Sequence, residues 1–289
     1  MTIQAFAYPA TVKEAVALLG DSSKHAIALG GGTAIAHGSR RGAELLVDVT
    51  RCCMDRIAVD YGKTILLGAT ARCAEIAAAN ALPNAEGALL REAAAGVATQ
   101  PLRNAITLGG NIFHLAAWSD LPVALLALDA QVQIAHIQNG DFAIPMSALV
   151  AVHPQRALPT NALITGVSLG VGSKLRGSVY RRFRLTTTDY SLITVAALLE
   201  VEDRKCLHAA IAIGAVGPRP MRAAGAEKIL VDGPLTPKRI ADAAHQAADE
   251  VTIAPNYRLA ADVRKRILEV EVRRAIEIAA ERARLKATA

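Results

Sequence analysis

The sequence predicts an α+β protein made of two successive α/β units and a closing unit in which strands come before helices. Three observations predict it. Short apolar segments end in glycine turns at two places, Gly30-Gly31-Gly32 and Gly109-Gly110. Segments with helical apolar periodicity alternate with these short strands through the first two thirds of the chain. In the last third, two long apolar runs, 193–201 and 207–213, meet at Asp203-Arg204 as an antiparallel pair and lead into helical segments.

Each element has a local reason. Thr11-Val12-Lys13-Glu14 reads as a capping box, with Val12, Ala15, Val16 and Leu19 on one helical face and Gly20 as the stop. Strands at 26–29 and 45–48 complete a first unit, residues 1–55. A second unit, 56–172, starts with a strand at 64–67 that ends at Gly68, and Thr70 is the expected cap of a helix over 71–79. A helix over 89–97 follows, and the chain then crosses Pro101-Leu102-Arg103-Asn104 into the second glycine turn. Ser119-Asp120 stands where a cap would open the next helix, Pro122 is tolerated in its first turn, and 124–128 reads as buried. Strands at 132–135 and 163–167, with a turn at Asn139-Gly140, close the unit. The third unit, 173–289, has the paired strands, a helix over 221–230, a helix from Thr236-Pro237 to Val251, and a long helix over about 259–285.

Composition excludes several classes. The chain has 289 residues, 52% hydrophobic and 20% charged, enough for two or three modest cores and too apolar for a disordered tail. Aromatic residues make up 3%, with Trp118 the sole tryptophan, too few for a base-stacking platform. The net charge of +6 is dispersed apart from Arg181-Arg182-Phe183-Arg184 and the C-terminal helix, and no nucleic-acid motif accompanies it. Cys52, Cys53, Cys73 and Cys206 show no C-x-x-C spacing and the seven histidines are scattered, so reduced thiols and no metal site are expected. The N-terminus lacks the charge and long apolar core of a signal peptide, and no apolar run reaches the roughly 18 residues of a membrane span. The expectation is a cytoplasmic protein.

The glycine turns carry the chemistry. Glycine tolerates positive φ and lets a ligand touch bare main chain, while consecutive N–H groups form a nest for an anion. Either turn alone is an ordinary turn; as a pair, flanked by Thr33, Thr107 and Asn111, they read as a diphosphate cradle. A Rossmann fingerprint would need a third glycine where Ile35 stands, which makes Asp48 a decoy, and no Gly-Lys-Ser/Thr supplies a P-loop.

These motifs resemble a known family. Phe6-x-Tyr8-Pro9, Glu14-Ala15-Val16-x-Leu18-Leu19, Gly31-Gly32-Thr33, Arg103-Asn104-x-Ile106-Thr107-Leu108-Gly109-Gly110-Asn111-Ile112 and Ser119-Asp120-Leu121-Pro122 together are similar to the FAD-binding medium subunit of molybdenum hydroxylases, the carbon monoxide dehydrogenase and xanthine dehydrogenase group. The resemblance covers essentially the whole chain. It implies a two-part FAD-binding domain of the vanillyl-alcohol-oxidase/p-cresol-methylhydroxylase type, followed by a C-terminal antiparallel sheet with a helical bundle.

Carried over by position, the resemblance implies non-covalent FAD. The loop Ala28, Leu29, Gly30, Gly31, Gly32, Thr33 and Ala34 and the segment Ile106, Thr107, Gly109, Gly110 and Asn111 would hold its diphosphate, with Phe113 beside them. Ser119 and Asp120 would hold adenosine or ribityl hydroxyls, Leu163 and Ile164 would lie against an apolar part, and Arg181 would stand near the flavin edge. Alternatives remain at three places: Asp120 as a helix cap, Leu163 and Ile164 as core, and Arg181 as a subunit-interface cation. Gly30 stands where relatives usually have alanine, Ala34 replaces a polar residue, Thr33 offers no covalent flavin link, and Phe113 and Trp118 are bulky for their segment.

The resemblance further implies an oxidoreductase subunit with no catalytic acid, base or nucleophile of its own. Electrons would pass from 2Fe–2S clusters in a small partner subunit through FAD to an external acceptor, with the molybdenum cofactor in a large partner subunit. The expected assembly is a dimer of heterotrimers, without nucleic acid. Two other readings stay open, a free-standing FAD oxidoreductase of the same fold and a non-catalytic assembly protein that has lost FAD.

Overall fold

In a computed structural model, which describes residues 3–36, 38 and 42–287, three sheets follow one another along the chain. The first is parallel, with strand order β1-β3-β2 from β1 (Ala5–Ala7), β2 (Ala26–Leu29) and β3 (Leu45–Asp48). Helix α1 (Val12–Leu19) packs Ala15, Val16 and Leu19 against it, and a four-residue helix α2 (Thr33–Ala36) follows the first glycine corner. Thr11 Oγ1 accepts from the Glu14 N–H at 3.2 Å, and Glu14 Oε2 accepts from the Ala10 N–H at 2.8 Å, one residue earlier than a strict capping box.

The second sheet is antiparallel, in the order β4-β5-β8-β6-β7: β4 (Ile57–Asp60), β5 (Thr64–Gly68), β6 (Gln131–His136), β7 (Gly140–Pro145) and β8 (Leu163–Gly170). Over one face lie α3 (Cys73–Ala78), α4 (Asn84–Gly96), α5 (Gln100–Arg103), α6 (Leu108–His114), α7 (Leu121–Ala127), α8 (Met146–Val152) and α9 (Pro154–Ala157), burying Leu89, Leu90, Leu108, Ile112, Leu125 and Leu126. Helix α3 starts at Cys73 rather than Ala71. Its first turn is capped by Glu75, whose Oε2 accepts the Arg72 N–H at 2.7 Å, and the expected cap, Thr70, is buried with its hydroxyl unpartnered.

The third sheet is antiparallel, in the order β12-β11-β10-β9: β9 (Arg176–Phe183), β10 (Ile193–Glu202), β11 (Lys205–Gly214) and β12 (Met221–Arg222). The helix expected over 221–230 therefore begins only at α10 (Ala224–Leu230), because Met221 and Arg222 pair with Ile213 and Ala212. Thr236 caps α11 (Pro237–Asp249) as expected, accepting from the Arg239 N–H at 3.2 Å, and α12 (Ala261–Ala287) closes the chain.

Alternation along these strands gives the third sheet two different faces. Tyr180, Ala196, Leu198, Ala210 and Ala212 join the core of the middle unit, while Val179, Val195, Ala197, Leu199 and Ile211 pack on the three C-terminal helices. Arg264, 2% exposed, fixes the start of α12 by donating to the carbonyls of Ala254 at 2.7 Å, Leu192 at 2.9 Å and Ala215 at 2.7 Å. None of the described helices is long and apolar enough to cross a membrane.

Candidate functional site

The two glycine corners, far apart in sequence, meet on one hydroxyl. A Cβ built on Gly30 would stand 2.8 Å from Thr107 Oγ1, and one built on Gly110 would stand 2.9 Å from the same oxygen. Gly31 lies against the Ala105 carbonyl, where no side chain fits. Only Gly32 uses a left-handed backbone, at φ +72°. The remaining glycines serve close approach rather than unusual dihedrals.

The second corner differs from the tight turn expected of Thr107-Leu108-Gly109-Gly110-Asn111. It is the first turn of α6, with Thr107 as N-cap accepting from the Gly110 N–H at 3.3 Å. Two adjacent glycines signal a turn, and here the threonine cap prevails over them. The corner is held to the preceding unit by Leu108 N–H to Ala71 O at 2.9 Å and Gly109 N–H to Ala69 O at 2.8 Å. Ile106 is spent in the same way, its N–H on Leu102 O and its carbonyl on the Cys73 N–H.

What stays open is the mouth between the corners. Residues Ala28 through Ala34 are all half-buried and Gly110 is exposed, while Thr107 and Gly109 are buried beneath. The first turn of α2 leaves the Thr33 and Ala34 N–H groups without an intrahelical acceptor. Asn111 Oδ1 is buried with no hydrogen-bond partner, a cost of about 1–3 kcal/mol for an acceptor taken from water and left unpaired. Phe113, three residues after Gly110 on α6, is 44% exposed and leaves the mouth clear. Trp118 is equally exposed and stacks on Tyr190, ring centroids 4.4 Å apart.

Ser119 and Asp120 lie behind this mouth, both buried. Asp120 is the N-cap of α7 by position, but its side chain makes no capping bond, so the cap reading fails. Its Oδ1 instead accepts from Tyr180 Oη at 3.0 Å and pairs with Arg182 Nε at 3.2 Å, both from the third sheet. Burial raises the Asp120 carboxyl to about 6, against the opposing pull of Arg182 and the Tyr180 hydrogen bond. Burial also raises Tyr180 well above the usual phenol range, so its hydroxyl remains a donor. Cys73 is pushed up to about 12 by burial and by Asp120.

Three expected site residues are not brought to the mouth by their side chains. Leu163 and Ile164 on β8 are 5% and 6% exposed and belong to two different cores, Leu163 to that of the first sheet and Ile164 to that of the second. Arg181 is on the face of the third sheet turned toward the C-terminal helices, its Nε donating to Glu271 Oε2 at 2.7 Å. The neighbouring Arg182 points the other way and reaches Asp120. Strand alternation was the available signal, since Tyr180 and Arg182 must share a face that Arg181 does not.

Comparison with known proteins gives a consistent picture. The sequence model described as the FAD binding domain in molybdopterin dehydrogenase matches residues 2–170, and the one described as the CO dehydrogenase flavoprotein C-terminal domain matches residues 178–279. The chain is 30% identical over 278 residues to the 6-hydroxypseudooxynicotine dehydrogenase complex subunit alpha of Paenarthrobacter nicotinovorans, covering 95% of this chain and 93% of the relative. It is 26% identical to the carbon monoxide dehydrogenase medium chain of Hydrogenophaga pseudoflava over 274 residues, 94% of this chain and 95% of the relative. A solved carbon monoxide dehydrogenase from Hydrogenophaga pseudoflava, lacking the Mo-pyranopterin moiety, superposes with a TM-score of 0.87 at 25% identity, covering 97% and 98% of the two chains.

Proposed function

The chain belongs to the family of FAD-binding medium subunits of molybdenum hydroxylases, and we propose that it relays electrons from iron–sulfur clusters of a small partner subunit through FAD to an external acceptor. FAD is the cofactor of this subunit type, and the molybdenum and iron–sulfur centres belong to other subunits. The oxidised substrate would be chosen in the large molybdenum subunit. Relatives named for substrates as different as 6-hydroxypseudooxynicotine and carbon monoxide share this fold.

The observation that carries the residue-level reading is the unpartnered Asn111 Oδ1 beside exposed Gly110, at the corner where Gly30 and Gly110 converge on Thr107. A dinucleotide fits such a mouth. Its diphosphate oxygens accept from the free N–H groups of the Gly30–Ala34 corner, and bare backbone at Gly110 permits close approach. Asn111 supplies a side-chain hydrogen bond from its amide, and the Thr33 hydroxyl a second polar contact. Thr107 Oγ1, already accepting from Gly110, keeps the two corners in register.

Bound FAD supplies a group that accepts electrons singly and releases them in pairs. The chain's own task is to hold and orient it. Ser119 and Asp120 shape the floor of the site, and Asp120 acts through Tyr180 and Arg182 by fixing the third sheet behind the mouth rather than by capping a helix. Arg181, engaged with Glu271, is left out of the cofactor site.

The test is coexpression with the large and small subunits and native mass measurement, followed by anaerobic reduction with the complex's substrate. The reading expects one FAD per chain, stable association with both partners, and flavin bleaching that requires the iron–sulfur subunit. Bleaching by substrate in the isolated chain would instead favour a free-standing flavoenzyme.

A further inference from the structure

Away from the glycine corners, a cleft of about 330 Å³ opens between the middle unit and the third sheet. One wall brings Glu86 from α4, Asp129 after α7 and the Gly170–Gly172 end of β8; the other brings Arg176, Leu198 and His208 from β9, β10 and β11. Arg176 and His208 both stand opposite Glu200 in the strand register, so the three share one face.

Glu86 is the unusual group. It is 1% exposed, and its Oε1 accepts from Arg176 Nη1 at 3.0 Å and from the Gly172 N–H at 3.1 Å. Its Oε2 is buried with no partner, and so is His208 Nδ1. Leaving a buried carboxylate oxygen unpaired is costly, and two unsatisfied atoms lining one cleft from opposite walls mark a place for a hydrogen-bonding guest. The charge balance gives its sign. Arg176 is shared by Glu86 and Glu200, and Arg222 at the rim by Asp129 and Glu227, so four carboxylates share two guanidiniums. Burial, Arg176 and Arg222 hold the His208 imidazole below its usual pKa, so it adds no cation at neutral pH.

We propose that this cleft binds a small organic cation with N–H donors, a short primary ammonium, which donates to Glu86 Oε2 and His208 Nδ1 and rests its hydrocarbon on Leu128, Val171 and Leu198. Because its walls come from two units, such a guest joins the middle unit to the third sheet. Occupancy then stabilises the interface that Arg176 and Glu86 already bridge.

The experiment is a titration of the purified full-length chain with propylammonium, read by calorimetry and by the thermal unfolding midpoint. Tetramethylammonium, with equal charge and no N–H donor, and 1-propanol, with no charge, are run in parallel. Saturable binding with a raised midpoint is expected for propylammonium alone. His208→Phe, which fills the cleft from an element outside the cofactor mouth, should keep its flavin content and lose binding. Glu86→Gln should weaken binding at least tenfold, and if that variant does not fold, His208→Phe decides. Absence of saturable binding, an equal response to tetramethylammonium, or undiminished binding by His208→Phe would overturn the proposal.

Discussion

Asp120 and Arg182 form a buried ion pair, 3.2 Å from Oδ1 to Nε, that ties the start of α7 to the first strand of the third sheet. The partners are 4% and 11% exposed in their side chains, and Tyr180 donates to the same oxygen. A buried pair of this kind is expensive to break, because removing one member strands the other in a poor solvent.

Arg182→Met should therefore destabilise the chain by about 3–5 kcal/mol, the range for a stranded buried charge. Arg181→Met, one residue away, removes a partner that Glu271 can replace with Arg274 at 3.3 Å, and should cost about 1 kcal/mol or less. Chemical denaturation of the two variants checks this. Equal losses would mean that the two faces of β9 are not distinguished as described.

The same carboxylate predicts a pH dependence. Its pKa is about 6 in the fold and near the ordinary 3.8 when unfolded, so the native state holds the proton more tightly. Stability from this group is fully present below the unfolded value and is lost as pH rises through about 6. Asp120→Asn, neutral throughout, should gain on the parent by about 2–3 kcal/mol between pH 4 and pH 7, about two pKa units of linkage. A difference that does not vary with pH would contradict the assigned environment.

Gly31→Ala should destabilise by about 1–3 kcal/mol or more, since the added methyl overlaps the Ala105 carbonyl and backbone must move. Gly32→Ala meets only Leu29 Cδ1 at 3.4 Å and suffers from its φ of +72° instead, about 1–2 kcal/mol. Thermal midpoints separate the two.

Thiol chemistry should be selective. Cys53 is exposed, whereas Cys52, Cys73 and Cys206 are buried with their thiols pushed up by burial, Cys73 to about 12 and Cys206 to about 11. One fast-reacting thiol is expected in the native chain and four after denaturation. Rapid labelling of Cys73 would indicate that the unit beneath the second corner opens.

Much of this was legible in the sequence where local chemistry decides. Thr11 and Thr236 fixed helix starts, Asn139-Gly140 marked a hairpin, and paired glycine motifs pointed to one site. The structure brings those motifs together on Thr107. The sequence was less readable where tertiary contacts decide. Gly109-Gly110 resembled a turn until Thr107 capped it as a helix, and Met221-Arg222 looked helical until β11 offered a strand partner. Asp120 looked like a cap because its acceptors' true partners, Tyr180 and Arg182, lie sixty residues on in β9. That strand, overlooked as an element, also determines which of two adjacent arginines faces the site.

The most direct measurement is the flavin-to-protein ratio of purified Gly110→Val, with its unfolding midpoint as a control on folding. The valine places branched carbons where bare backbone meets the mouth, and its Cβ crowds only the Thr107 hydroxyl, which can rotate. A folded protein with little or no FAD is predicted, against one FAD per parent chain. A folded Gly110→Val that retains stoichiometric FAD would contradict the account that the two glycine corners together hold the dinucleotide.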